Sequence, residues 1–205
     1  MCYYLGNKGQ VHYDVVSGTT KNEGTGALGG ITGGSINSSV KQCFNTNTIT
    51  AKYGNNYGMG NVGGIVGYNI SSTIKNTYNI GSIYGNQNVG GIAGQANIVE
   101  GIEGKNYLSN NFNASEIVVG LKCVGNYAGM SKHTEGAYNS GITNQTAVGE
   151  SGNNSYTNYE TYTLQQMRTI GSGLLTLLSK GEGNGLWAQS SSINNGLPYL
   201  VNNRP

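Results

Sequence analysis

Hydrolytic or redox chemistry needs convergent carboxylates, an imidazole or an activated thiol, and this chain of 205 residues is poor in all three. It has one aspartate, Asp14, eight glutamates, two histidines and three cysteines. Glu100 and Glu103 are the closest carboxylate pair outside any regular pattern, in the glycine-flanked stretch NIVEGIEGK at 97–105. A glycosidase holds its two carboxyls about 5 to 10 Å apart over a groove, and a loop of this kind holds them poorly. The pair therefore reads as solvated surface. His12 and His133 lie toward opposite ends of the chain and neither belongs to an HExxH, so a zinc peptidase is excluded within this sequence. Cys123 and His133 suggest a thiol dyad only on paper, because no helix N-terminus or cationic cluster accompanies the cysteine. Cys2, Cys43 and Cys123 give no CxxC and no zinc-ligand spacing. Calcium repeats of the GGxGxDx type need aspartates that are missing. No catalytic residue, metal ligand or cofactor is expected.

The elements around these residues repeat. LGGITG at 28–33, VGGIVG at 62–67, VGGIAG at 89–94 and a degraded YAGM at 127–130 form one phrase, at spacings of 34, 27 and 38. An aromatic followed by asparagine forms a second: Phe44-Asn45, Tyr78-Asn79, Phe112-Asn113 and Tyr138-Asn139, at spacings of 34, 34 and 26. Units of this length cannot bury an apolar face alone and must stack on their neighbours. Residues 28–49 align without a gap on 62–83, and the length difference falls in AKYGNNYGMGN at 51–61 against YGNQN at 84–88. Variation confined to one stretch marks it as a surface loop.

Short β-branched runs broken by glycine read as brief strands joined by tight corners. In IKNTYNIGSI at 74–83, strict alternation puts Ile74, Asn76, Tyr78 and Ile80 on one face and Ile83 on the other. A corner at Gly81 resolves this, with Gly6, Asn47, Ser115 and Gly141 at the corresponding positions. Within VGGIVG either Ile65 or Val66 points inward. Stacked units turn equivalent residues into ladders about 4.8 Å apart. The expected aromatic column is Tyr3, Phe44, Tyr78, Phe112, Tyr138, a filling for the core, and the expected amide column is Asn45, Asn79, Asn113, Asn139. Cys2 and Cys43 each precede their aromatic, so one column would bring them within disulfide range; two buried thiols is the plainer reading.

Composition agrees with an all-β array. There are 35 glycines, 2 prolines and 10% charged residues, without a G-X-Y period. A net charge of +2 with scattered lysines argues against nucleic acid and anionic lipid as partners. No apolar run approaches the roughly 20 residues of a membrane helix, so no membrane insertion is expected. MCYYLGNKG at the start sets on the middle of a unit, and the chain is read as part of a longer parent.

Repeats reading V-G-G-I-V-G followed by Y-N-x-G-x-I resemble the GLUG motif repeats of bacterial surface and secreted proteins. Those repeats occur in Gram-positive wall-anchored proteins, in the amino-terminal regions of IgA-cleaving metallopeptidases and in filamentous haemagglutinin-like adhesins. The resemblance covers about residues 28–142, with the two central copies the closest matches and Tyr127–Met130 lacking the first glycine. It implies a location and an architecture, a β-helical stalk or adhesive module outside the cell, and no catalytic residue.

After Gly152 the pattern changes. TLQQMRTIGSGLLTLLSKG at 163–181 has near-helical apolar spacing with Thr163 as N-cap, and Gly171 and Gly173 predict a short helix, a break and a second short helix. Trp187 and INNGLPYL at 193–200 complete a segment read as a cap over the open end of the array, with Trp187 in its core. The resulting expectation is a right-handed parallel β-helix or β-solenoid of irregular 27–38-residue repeats over 1–152, closed by a small α+β cap over 153–205. Its expected work is non-catalytic display or adhesion at a bacterial surface, or secreted from it, with a host or cell-surface glycan or protein as partner. Tyr53 and Tyr57 in the long loop, with Tyr84 at the equivalent short one, are the candidate ligand-binding residues. The alternatives are a carbohydrate-binding or substrate-positioning module attached to an enzyme, and a polysaccharide-cleaving enzyme using Glu100 or Glu103.

Overall fold

The computed structural model describes residues 2–3, 6–7, 11–15, 26–53, 60–97, 104–152 and 154–205, with backbone alone at 2–3, 11–15 and 52–53. It is mostly β, and its array is built from parallel sheets. The chain runs in circuits, each laying one short strand on five sheets in turn. In the third circuit these strands are Thr73–Lys75, Tyr78–Asn79, Ile83–Tyr84, Gln87–Gly90 and Ala93–Asn97. The first and second sheets have six strands, the fifth has five, and the third and fourth have four each. The fifth circuit passes from Ser140–Ile142 directly to Val148–Gly152, so the third and fourth sheets end one circuit early. Parallel pairing continues through Ser155–Thr157 and Glu160–Tyr162, so the array runs to Tyr162, ten residues beyond the boundary expected at Gly152.

Corners come from residues in the left-handed region. Gln42, Asn76, Asn110, Tyr138 and Asn158 occupy one position in successive circuits, between the first and second sheets, at φ of 53°, 52°, 55°, 57° and 54°. Asparagine tolerates this conformation best among residues with a side chain. A left-handed corner therefore lies at Asn76, whereas Gly81 bends the chain between the second and third sheets without a positive φ, and the faces are the reverse of those expected. Ile74 points into the interior with Ile65, Ile92 and Leu108. Tyr78, two residues beyond the corner, points outward. Gly81 serves close approach instead, since a Cβ there would overlap the Asn47 carbonyl group of the preceding circuit.

The glycine phrase answers the same need. A Cβ on Gly64 would overlap the Gly91 carbonyl oxygen and crowd the Asn79 amide, while one on Gly67 would reach the Leu28 backbone. Ile65 and Val66 are both fully buried, so neither is the outward member of the pair. Register places the fourth copy of the phrase at VGNYAG, 124–129, with Val124 opposite Val89 and Ala128 opposite Ala93. The fourth copy thus keeps its first glycine, Gly125, and replaces the second by Asn126.

Register also corrects the columns. Phe44 stands opposite Gly6, and Asn45 opposite Asn7, so Tyr3 falls outside the aromatic column. Phe112 stands opposite Ser140, so Tyr138 is a corner and not a rung. The cause is loop length: two more residues separate Phe112 from Ser140 than from Tyr138. Cys2 lies opposite Val40, and the shared column that would have joined it to Cys43 does not exist.

Asn7, Asn45, Asn79 and Asn113 point inward as one ladder. The Nδ2 of each of the first three donates to the next Oδ1 at 2.8, 2.7 and 2.7 Å, and Asn45 and Asn79 also donate to carbonyls two residues ahead. Two further ladders cap buried backbone donors at corners. Thr77 N–H donates to Asn111 Oδ1 at 3.0 Å and Asn111 N–H to Asn139 Oδ1 at 3.1 Å. Ser72 N–H donates to Asn106 Oδ1 at 3.3 Å, and Thr134 N–H to Asn154 Oδ1 at 3.1 Å. A buried unpaired polar group costs about 1–3 kcal/mol; asparagine at these sites meets that demand with both ends of its amide.

The C-terminal segment forms α1 (Leu164–Arg168) and α2 (Gly173–Leu178), separated by a turn with Gly171 at φ 73°. Thr163 caps α1 in a reciprocal capping box with Gln166. The segment does not cover the end of the array. It lies along the outside of the second sheet, where Met167, Leu174, Leu178, Trp187, Leu197 and Leu200 pack on Phe44, Tyr78 and Phe112. The end is closed by the last circuit itself: Tyr156 and Tyr159 sit in interior columns and meet Tyr127 edge-on, at ring separations of 6.2 and 5.7 Å.

Candidate functional site

The outward aromatic column consists of three rings. Phe44 and Tyr78 are 5.2 Å apart at 12°, and Tyr78 and Phe112 are 5.1 Å apart at 4°. Gly6 continues the column without a ring because a Cβ there would overlap the Phe44 ring. Trp187 leans on Tyr78 and Phe112 at 56° and donates from Nε1 to Asn76 Oδ1 at 3.2 Å. It is 6% exposed, a core residue as its sequence setting predicts. Tyr78 is fully buried, and burial pushes its hydroxyl pKa far up. The ladder of rings is therefore an internal joint between array and tail and not an open platform.

The tyrosines proposed for ligand binding are not brought together by pairing. Tyr84 stands opposite Thr50 and Val119 on the third sheet and is half-buried. Tyr53 closes the strand Ile49–Tyr53 opposite Val15, three positions beyond Thr50, and its side chain lies outside the described residues. Tyr57 lies outside them as well, as do Glu100 and Glu103. His12 pairs through its backbone with Thr50, whereas His133 occupies a left-handed corner at φ 51°.

Cys123 is also at a left-handed corner, φ 48°, and its Sγ donates to Glu150 Oε2 at 3.2 Å. Burial, then this bond to a carboxylate, pushes the thiol pKa up, the reverse of what a nucleophile needs. Lys132 and then Cys123 hold the Glu150 carboxyl below its usual range. Among the described residues no three His, Cys, Asp or Glu side chains converge on a point.

Two open features lie near the tail. Where the third sheet stops early, Ile117, Val119 and Leu121 are exposed in and beside its last strand, Val118–Val119, Leu121 by 75%. Beside them a groove of about 310 Å³ runs between array and tail, with Ile80 and Ile117 on one wall and Leu164 and Leu197 on the other. Glu116 and Arg168 stand at the same groove. Glu116 is an inserted residue: the step from Phe112 to Val118 is one longer than from Tyr78 to Ile83, a difference visible in the sequence but passed over there. The tail's share of the groove had no sequence signal, because nothing in 163–205 announces which face of the array it covers.

Comparison with protein-family models, with curated proteins and with solved structures found no match for this chain.

Proposed function

We propose that the chain is a right-handed parallel β-helix that serves as a non-catalytic structural or adhesive module of a larger bacterial surface or secreted protein, of the GLUG-like kind. The observation that carries this reading is that the recurrent residues are consumed by the frame. The phrase glycines admit neighbouring backbones, the asparagines form internal ladders, and the aromatic rings seat the tail. Right-handedness is the hand that strand-to-parallel-strand connections overwhelmingly take. Host or cell-surface glycans and proteins are the proposed partners, met through loops and the exposed edge at Ile117–Leu121.

The groove at Glu116 and Arg168 favours one alternative, a carbohydrate-binding or substrate-positioning module. A glycan array probed together with immobilised matrix proteins separates the two readings. Saturable glycan binding that falls in Glu116→Gln, Arg168→Gln or Tyr84→Ala supports the second; protein binding insensitive to these changes supports adhesion. A blank on folded protein with both panels removes the adhesive role and leaves a spacer.

A further inference from the structure

Residues 163–205 reach one left-handed corner in each of four consecutive circuits. Asn203 Nδ2 donates to the Gln42 carbonyl at 2.9 Å, and Trp187 Nε1 to Asn76 Oδ1 at 3.2 Å. Asn110 Nδ2 donates to the carbonyls of Leu178 and Lys180 at 3.0 and 2.7 Å, and Gly181 lies against the Tyr138 ring. Between these points the tail buries its apolar side chains on Phe44, Tyr78 and Phe112, and Lys75 pairs with Glu182 at 2.6 Å on the rim.

Stacked repeats ordinarily touch only their neighbours, so stability is close to a sum of nearest-neighbour terms and unfolding can spread from either end. A segment bound to four circuits at once adds coupling between circuits that do not touch. We propose that the outer face of the second sheet is a docking surface for an amphipathic, tryptophan-bearing segment. Its occupant is this chain's own residues 163–205, and the docked segment is a strap that joins the circuits from Ser39 to Gly152 into one cooperative unit. The contacts are non-covalent and a single extended residue, Thr163, joins the strand to α1, so the docking does not need chain continuity. This inference stands on geometry alone and does not depend on the adhesive reading.

The test uses the full chain with a specific protease site inserted between Tyr162 and Thr163, a junction where added loop length costs little. After cleavage the two pieces are expected to co-elute at micromolar concentration, with Trp187 fluorescence still that of a buried indole and a single unfolding transition. Separation of the pieces, or aggregation on cutting, overturns the proposal. In the uncut protein, hydrogen exchange supplies the second arm. Amides of the strands at Phe44–Asn45, Tyr78–Asn79 and Phe112–Asn113 are expected to exchange together. In Trp187→Ala they should exchange at least about tenfold faster and at rates that differ between circuits. Trp187→Phe, which keeps a ring but loses the bond to Asn76, should fall between the two. Uniform, slow exchange in both variants overturns the strap.

Discussion

The Asn126 side chain occupies the space over Gly141 that, one circuit earlier, Asn113 occupies over Gly91. In the earlier pair a Cβ on Gly91 would overlap the Asn113 amide; in the later one a Cβ on Gly141 would meet Asn126 Oδ1 at 2.5 Å. Asn126 Oδ1 also accepts the Ile142 N–H at 3.0 Å. Phrase one and phrase two have exchanged glycine and asparagine, and the interior stays filled.

The exchange predicts energetic coupling. Because Tyr159 also abuts Gly141, the cycle belongs in a Tyr159→Phe background. There, Asn126→Gly and Gly141→Ala should each destabilise by about 2–3 kcal/mol, and the double variant should be milder than their sum by about 1 kcal/mol or more. Urea unfolding measures this directly; strict additivity would refute the shared space.

Position in the amide ladder sets the cost of breaking it. Asn79 both receives from Asn45 and donates to Asn113, so Asn79→Ala strands a donor on one side and an acceptor on the other and should cost about 2–4 kcal/mol. Among the described residues Asn113 Nδ2 finds no acceptor: with Phe112 opposite Ser140, Gly141 follows it in the column. Asn113→Ala should therefore cost less than Asn79→Ala, and thermal melts of the two in parallel check the order.

High pH should unfold the protein from its closed end and its joint. Burial pushes Tyr156 up to about 12 and Tyr127, Tyr159 and Tyr78 up as well. These phenols stay protonated in the folded state while the unfolded chain ionises near about pH 10. Their contribution is complete below pH 10 and is lost as pH rises through 10 to 12 and beyond. Buried tyrosinate absorbance should then appear together with the loss of circular dichroism; full ionisation of a still-folded protein would contradict the burial of these rings.

Gly64→Ala tests the close approach of circuits. The added methyl group meets the backbone of Gly91 and the Asn79 amide, neither of which is a flexible end, so a loss above about 3 kcal/mol or failure to fold is expected. Gly171→Ala meets nothing nearby and should cost only the strain of φ 73°, about 1 kcal/mol.

Some of this is legible in the chain itself. The gapless match of 28–49 to 62–83, the Phe44–Tyr78–Phe112 column and the Asn45–Asn79–Asn113 ladder all follow from side chains that must repeat to stack. The two short helices and the Thr163 cap follow from local spacing. The left-handed residue is hard to place by pattern because glycine is the usual carrier of positive φ, whereas here Asn76 and Gln42 adopt it and Gly81 bends without it. That placement turns Tyr78 from core filling into a seat for the tail. The outer columns failed where loops changed length, at Tyr3 and Tyr138, since an aromatic next to asparagine looks alike in either register. The placement of the tail was beyond pattern reading: its partners lie up to 161 residues away, and no periodicity encodes them.

The tail also acts as a gauge. Its attachment points are fixed by its own length, with Asn203 at Gln42, Trp187 at Asn76 and Leu178 at Asn110. A circuit added to or deleted from the stretch beneath it would shift the anchors on one side by a strand spacing, about 4.8 Å, relative to those on the other. Open arrays can gain or lose units by recombination and still fold; under this segment the number of units is counted.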